Sequence, residues 1–441
     1  MTAAAGSGTS LPRILVVGGG AGGLELATRL GHMLGRTGRA DVTLVDRAAT
    51  HIWKPRLHEV ATGTLNASEQ ELAYFPHAHC HGYRFAFGTV AAIDTETREV
   101  VLDAIRNREG VEIKGERRIG YDYLVLAVGS RANDFGIPGV AQWCYFLDSR
   151  EQAERLHRAL LDYGLRAELG QQDRLSLVIV GGGATGVELA AEIHYAATEL
   201  SQYGEHFGPE HLDITVVDAA QRLLSASLPA VSDRAIHALQ ENGIRVLLGQ
   251  PVASVDRDGL TLADGRTIPA QIMVWASGIK GFGFLSACEG LRTTRSSQVE
   301  VDATLRSVSD ERIFALGDCA FCVDPVSQRP LPATAQVAQQ QARVLARSLV
   351  RVLNGKRPII FRFRDRGMLV SLGRGLAVGN VASYWRRRVR AYYAAGAGAK
   401  FLYLSLYRMH QAALHGWWRT LLLLLSDVLR RSSSPPVKFW S

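Results

Sequence analysis

Two stretches decide the fold: Ile14-Leu-Val-Val-Gly18-Gly-Gly-Ala-Gly-Gly23-Leu-Glu-Leu-Ala27 and Leu177-Val-Ile-Val-Gly181-Gly-Gly-Ala-Thr-Gly186-Val-Glu-Leu-Ala190. Each starts as a short apolar run, breaks into Gly-x-Gly-x-x-Gly, and continues in residues that favour helix. A strand that turns directly into a helix needs those glycines for mechanical reasons. The first (Gly18, Gly181) makes the tight turn, and the second (Gly20, Gly183) lets a ligand approach the backbone. The third (Gly23, Gly186) lets the helix lie close on the strand. Further out, Val42-Thr-Leu-Val45 ends on Asp46 and Ile214-Thr-Val-Val217 ends on Asp218. Both copies thus read strand, glycine turn, helix, strand, acid.

That order is the fingerprint of dinucleotide binding. The helix N-terminus offers unpaired N–H groups and a positive dipole end to a pyrophosphate, and the acid accepts the ribose hydroxyls. An acid there also repels a 2′-phosphate, so Asp218 favours NADH over NADPH. Asp46 follows Gly23 at about the expected twenty residues, whereas Asp218 lies further past Gly186. The surplus falls in the segment 203–212, which reads as a surface insertion. Three more apolar runs end at glycine or acid: Tyr123-Leu-Val-Leu-Ala-Val-Gly129, Ile272-Met-Val-Trp-Ala-Ser-Gly278 and Ile313-Phe-Ala-Leu-Gly317-Asp318. Each reads as a buried strand whose terminal glycine lets the chain pass near a bound group.

A chain of 441 residues suggests two or three domains, and 47% hydrophobic with 21% charged residues excludes disorder. The net charge of +8 is concentrated: residues 376–441 hold ten Lys and Arg against the single acid Asp427, leaving the rest near neutral. A basic tail points to an anionic surface, and its Leu and aromatic content favours membrane over nucleic acid. No run of 18 uncharged apolar residues is present, so a spanning helix is not expected. Residues 1–10 lack a basic start and an apolar core, so no signal peptide is expected. Five cysteines, an odd number in a long chain, argue against a disulfide framework and for a reducing cytoplasm.

With those motifs in place, the chain resembles the two-dinucleotide-fold flavoprotein oxidoreductases. Narrower matches resemble one branch, the bacterial type II (non-proton-pumping) NADH:quinone dehydrogenases. They are Trp53-Lys-Pro-Arg-Leu-His-Glu-Val-Ala-Thr-Gly63, Gly181-Gly-Gly-Ala-Thr-Gly-Val-Glu188, Met273-Val-Trp-Ala-Ser-Gly-Ile-Lys280, Ala335-Gln-Val-Ala-Gln-Gln340 and the long run from Phe401 to Gly416. The resemblance implies an α/β fold with two Rossmann-like domains and a C-terminal amphipathic, membrane-associating helical region. A discontinuous FAD domain (11–150 and 301–375) would be interrupted by an NADH domain (151–300), with the tail at 376–441. One non-covalent FAD would sit on the first loop, with Lys54, Gly129 and Asp318 among its contacts. NADH, the co-substrate, would sit on the second with Gly278. The electron acceptor would be a membrane quinone, ubiquinone or menaquinone, at the cytoplasmic face of the inner membrane, with a homodimer also allowed.

Hydride transfer between stacked rings needs position, not a protein base. Glu188, two residues past Gly186 and expected in the first helical turn, is given a role in nicotinamide placement or proton relay by the resemblance. Otherwise it would simply complement the helix dipole. Gln336 and Gln339 lie three apart on an expected helix and share a face. Their amides could donate to a quinone carbonyl, although Gln339 stands where the family often has His. Cys319-x-x-Cys322 has redox-pair spacing but no second pair for a zinc site, so structural thiols are expected. His77-x-His79-x-His81 reads as a polar alternating segment and no metal is expected. The rivals are a sulfide:quinone oxidoreductase, which needs a flavin-flanking cysteine pair, a rubredoxin- or ferredoxin-type reductase, and a flavin-bound sensor with little turnover.

Overall fold

The first glycine turn joins β1 (Arg13–Val17) to α1 (Ala21–Leu30), and β2 (Asp41–Asp46) follows. The chain continues through α2 (Leu57–Ala61), α3 (Tyr74–His81), β3 (Arg84–Phe87), β4 (Val90–Asp94), β5 (Glu99–Leu102), β6 (Arg117–Gly120) and β7 (Tyr123–Leu126). The second copy supplies β8 (Leu175–Val180), α4 (Ala184–Leu200), β9 (Leu212–Asp218) and β10 (Arg245–Leu248). It closes with β11 (Val252–Val255), β12 (Gly259–Leu262), β13 (Thr267–Pro269) and β14 (Ile272–Trp275). Then come β15 (Ile313–Ala315), α5 (Ala335–Leu353), β16 (Gly367–Ser371), β17 (Ala377–Trp385), β18 (Arg388–Gly396), α6 (Ala397–His415) and α7 (Trp417–Arg431). This computed structural model describes residues 10–107, 109–170, 174–204, 208–373, 375–385, 388–431 and 437.

Two compact units emerge. The first comprises Met1–Trp53, Glu71–Arg131 and Lys280–Phe363; the second comprises Lys54–Gln70, Ala132–Ile279 and Arg364–Ser441. The first holds a parallel sheet in the order β15-β7-β1-β2-β3 and an antiparallel meander β6-β5-β4. The second repeats the plan with a parallel sheet β10-β9-β8-β14 and a meander β11-β12-β13. The duplication seen in the glycine loops thus extends to whole sheets. Segments 132–150 and 364–441 pack with the second unit and 280–300 with the first. The chain passes between the two units after Trp53, Gln70, Arg131, Ile279 and Phe363. Ile14, Leu15, Val16 and Val17 are all buried, as are Ile272, Met273, Val274 and Trp275. Such unalternated apolar strands are what a parallel sheet covered on both faces requires.

The tail departs from the helical expectation. Residues 377–396 form an antiparallel hairpin, paired from Ala377↔Gly396 to Trp385↔Arg388 and extended by β16. Val378, Val381, Tyr384, Val389 and Tyr392 explain this, since β-branched and aromatic residues favour an extended chain. Arg386 and Arg387 of the basic run, residues 432–436 and 438–441, and residues 205–207 of the expected insertion lie outside the described residues. Helix starts only at Ala397. No helix among the described residues is long and apolar enough to cross a membrane.

Within the first unit, α5 is seated on α1. A Cβ on Gly22 would stand 3.0 Å from Ala338 O, so glycine allows the helices to close up. Next to this contact Glu25, fully buried, accepts from Arg29 Nε at 3.0 Å and Arg343 Nε at 2.7 Å on the same oxygen. Replacing Arg343 with Met leaves Glu25 only one cationic partner. It should lower stability by about 3 kcal/mol, the range for breaking a buried pair. Denaturant unfolding of the purified protein measures this, and a loss under about 0.5 kcal/mol would show that Arg29 suffices alone.

Candidate functional site

The C-terminal ends of the parallel strands carry the sites. In the first unit Gly18 turns with φ +101°, and a Cβ on Gly23 would lie 1.8 Å from Gly18 O. The amide of Gly19 donates to Asp46 Oδ2 at 2.6 Å, and that of Ala48 to Asp46 Oδ1 at 2.8 Å. Burial pushes the Asp46 carboxyl above its usual range, opposed by these amides. Gly19 O accepts from the Tyr74 hydroxyl at 2.7 Å and from His51 Nδ1 at 3.0 Å. A Cβ on Gly19 would strike the Tyr74 hydroxyl at 2.3 Å. Above Gly20, by contrast, an added Cβ would meet nothing within 4 Å. That opening lies at the N-terminus of α1, where a pyrophosphate needs to approach.

Gly129 (φ +71°) and Gly317 (φ +70°) end the neighbouring strands of the same sheet. Ser130 Oγ donates to Asp318 Oδ2 at 2.8 Å, and Gln298 Nε2 to Asp318 O at 2.8 Å. The Gly317 amide donates to the buried Gln341 Oε1 at 2.7 Å. Gly18, Gly20, Gly23, Asp46, Gly129 and Asp318 are thus brought to one sheet edge. An open glycine cradle, a helix N-terminus and two fixed carboxylates fit the pyrophosphate and hydroxyls of a dinucleotide.

The second unit repeats the loop with different supports. Gly181 has φ +123°, and a Cβ on Gly186 would lie 1.9 Å from Gly181 O. The Gly182 amide donates to Asp218 Oδ2 and the Ala220 amide to Asp218 Oδ1 at 2.7 Å. The Gly182 carbonyl accepts from the Leu224 amide at 2.8 Å. The space over Gly183 is open. Gly278 (φ +67°) follows Trp275, whose Nε1 donates to Asn133 O at 2.8 Å and Ser277 O at 3.0 Å.

Glu188 stands in the second turn of α4, one turn later than expected, and is 6% exposed. Its Oε1 accepts from the Ser371 amide at 3.0 Å, and its Oε2 is 3.6 Å from His58 Nδ1. Glu188 is therefore fixed from β16 and does not simply line the helix axis. Around it lie Glu59, held by Arg56 Nε at 3.0 Å, and Glu192, which accepts from Thr64 Oγ1 at 2.6 Å. Burial, then Glu188 and Glu59, hold the Tyr403 phenol well above its usual range. Most of these groups come from the Trp53-to-Gly63 motif and its flank, which spacing alone gave no chemical role.

Gln336 and Gln339 lie half-buried in the first turns of α5, which Thr334 caps by accepting from the Val337 amide at 3.3 Å. Gln340 Nε2 donates to Gln336 Oε1 at 3.3 Å. The glutamines belong to the first unit and Glu188 to the second. Lys54 pairs with Asp148 at 3.7 Å in the second unit. Cys319 and Cys322 are unpaired buried thiols, each pushed up to about 11 by burial first. His77, His79 and His81 lie on α3: His77 stacks on His81 at 4.0 Å and meets the Tyr83 hydroxyl at 2.9 Å. Tyr74 to His81 contains no glycine and packs Tyr74 and Ala78 inward at helical spacing.

Residues 12–342 match the family model for pyridine nucleotide-disulphide oxidoreductases. A type II NADH:quinone oxidoreductase of Haemophilus influenzae is 39% identical over 97% of this chain and 100% of its own. One of Staphylococcus aureus is 28% identical over 84% of this chain and 89% of its own. Among solved structures, NDH2 of Plasmodium falciparum in complex with NADH superposes with TM-score 0.83 at 18% identity, covering 98% of this chain and 100% of that one. The sulfide:quinone oxidoreductase of Aquifex aeolicus gives 0.72 at 18% identity, covering 92% of each.

Tyr74→Phe removes one of the two side-chain donors to Gly19 O without filling space. It should loosen the first loop by about 1 kcal/mol, the worth of one hydrogen bond. Thermal unfolding and the fraction of dinucleotide kept through gel filtration measure it. Unchanged retention in both would mean that His51 alone holds the carbonyl.

Proposed function

Because the chain belongs to the pyridine nucleotide-disulphide oxidoreductase family and, within it, to the type II NADH:quinone oxidoreductases, we infer that it carries one non-covalent FAD and passes electrons from NADH to a membrane quinone. The observation that supports this in the molecule is the doubling: two glycine cradles, each closed by an acid, serve a resident and a visiting dinucleotide. The chemistry FAD supplies when bound is hydride acceptance from nicotinamide and two-electron delivery to quinone, without proton pumping. In this reading Gly18, Gly20, Gly23, Asp46, Lys54, Gly129 and Asp318 hold FAD. Gly181, Gly183, Gly186, Asp218 and Gly278 hold NADH. Glu188 bears a proton near the reacting groups, and the amides of Gln336 and Gln339 donate to the quinone carbonyl.

We assign the tail to an anionic lipid surface at the cytoplasmic face of the inner membrane, as a peripheral attachment. Trp417 and Trp418 are 75% and 73% exposed, and the leucines at 421–425 are all exposed beside them. Such a face suits a helix lying among lipid headgroups, with the aromatic rings at the interface. A second copy of the chain is the alternative cover for the same face. The sulfide:quinone reading finds less support: Cys144 and Cys288 are buried, and burial pushes their thiols up to about 12 and about 11. A thiol that holds its proton is a poor sulfur nucleophile.

Two outcomes follow for NADH and for the membrane. Asp218→Ala should weaken NADH and narrow its advantage over NADPH by about tenfold or more, since the loop loses its ribose acceptor. An unchanged ratio of kcat/KM for the two nucleotides would remove Asp218 from the site. Deleting residues 417–441 should abolish pelleting with phosphatidylglycerol vesicles while FAD stays bound and a water-soluble quinone is still reduced. The cut belongs there because α6 buries Ala399, Gln411, Ala412 and Leu414 and is part of the second unit. Deleted protein that pellets as before would place the attachment elsewhere.

A further inference from the structure

His58 is 2% exposed, and a carboxylate faces each of its ring nitrogens. Glu188 Oε2 lies 3.6 Å from Nδ1, and Glu59 Oε1 lies 3.9 Å from Nε2. Polar groups of three elements stand around it, and the helix Arg150–Glu168 also packs on α2, with the buried His157 against Ala61. The segment leading into and through α2 gives Arg56 and Glu59, α4 gives Glu188 and Glu192, and α6 brings the buried hydroxyl of Tyr403. Arg56 is paired with Glu59 through both carboxylate oxygens. Arg56 matches Glu59, and a proton on the imidazole would offset Glu188 on the side that faces it.

The internal repeat gives an independent comparison. Glu25 occupies in the first copy the place of Glu188 in the second, two residues past the third glycine. Glu25 faces two guanidiniums, which cannot release a proton; Glu188 faces an imidazole, which can. The same position has been built once with a fixed charge and once with a transferable proton.

We propose that His58 is the proton partner of Glu188, storing the one proton per turnover that NADH does not bring. This rests on the reading of Glu188 as the proton-bearing group. Hydride carries two electrons and one proton, while a quinol takes two of each, so NADH + H⁺ + Q gives NAD⁺ + QH₂. In the step assigned here the His58 Nδ1–H bond breaks as the Glu188 Oε2–H bond forms. The gap must close from 3.6 Å to about 2.8 Å, a side-chain adjustment. The imidazole then regains a proton from water on the Glu59 side, where the carboxylate is 11% exposed. His58 acts through Glu188 and is a positioning residue.

Two measurements on FAD-loaded protein test this. In stopped flow, His58→Gln should leave NADH bleaching of the flavin within about twofold and slow its recolouring by a water-soluble quinone about a hundredfold at neutral pH. The inflection between about pH 5 and 8 should vanish from that second rate. In protein labelled with ¹⁵N-histidine and kept free of NADH, Glu188→Gln should move the His58 titration to lower pH. Wild-type recolouring in His58→Gln across that range, with Glu188→Gln slow, overturns the role of His58 and leaves Glu188 in place. Wild-type rates in Glu188→Gln overturn the reading beneath it. If His58→Gln does not keep FAD, the labelled titration decides: a His58 signal unmoved by Glu188→Gln overturns the proposal.

Discussion

One constraint shapes both units: a carbonyl that leaves no room for a side chain. In each unit the third glycine of the loop lies so near the first that a Cβ would sit under 2 Å from the latter's oxygen. Strand and helix can then share one tight corner, which aims the helix N-terminus along the sheet edge. Everything else at that edge is arranged around this corner. The acid at the end of β2 or β9 takes the amide of the residue inside it, and a separate group takes its carbonyl. Because the corner admits no methyl group, it also admits little slack.

The parts of the fold written as local pattern were legible in the sequence. Apolar runs, glycine spacing and the acids at Asp46 and Asp218 identified both parallel sheets, because each signal lies within one strand–turn–helix unit. What escaped was assembled over long separations. Tyr74 and His51 reach the Gly19 carbonyl from outside the fingerprint, and Gln341 reaches the Gly317 amide from a helix beyond it. No periodicity marks such residues. The hairpin at 377–396 was hidden for another reason: its arginines and aromatics fit a basic amphipathic helix as readily as an exposed strand, and pairing with β16 decides the matter. The histidines of α3 read only as a polar alternating segment, and i,i+4 stacking of His77 on His81 is a feature of the helix they form.

The two copies also show how one position of the repeat can differ by its neighbours alone. Around Glu25 the arginines lie on its own helix and on α5, so the charge acts as a clamp between helices. Around Glu188 stand a backbone amide and an imidazole, with further acids nearby. Guanidiniums clamp a carboxylate, whereas an imidazole beside it can pass it a proton. Identity of the residue type therefore carries less information here than what surrounds it.

The amide that holds Glu188 belongs to Ser371, the last residue of β16, and β16 is the strand on which the tail hairpin is laid down. The C-terminal segment consequently cannot be treated as a detachable tether. Anyone building chimaeras, with the aim of transplanting one relative's lipid preference onto another's catalytic body, would have to move the join upstream of Gly367 or downstream of His415. A junction inside the hairpin would alter strand pairing, and the error would be felt at a carboxylate deep in the nucleotide-binding half. Modularity in this protein stops at α7.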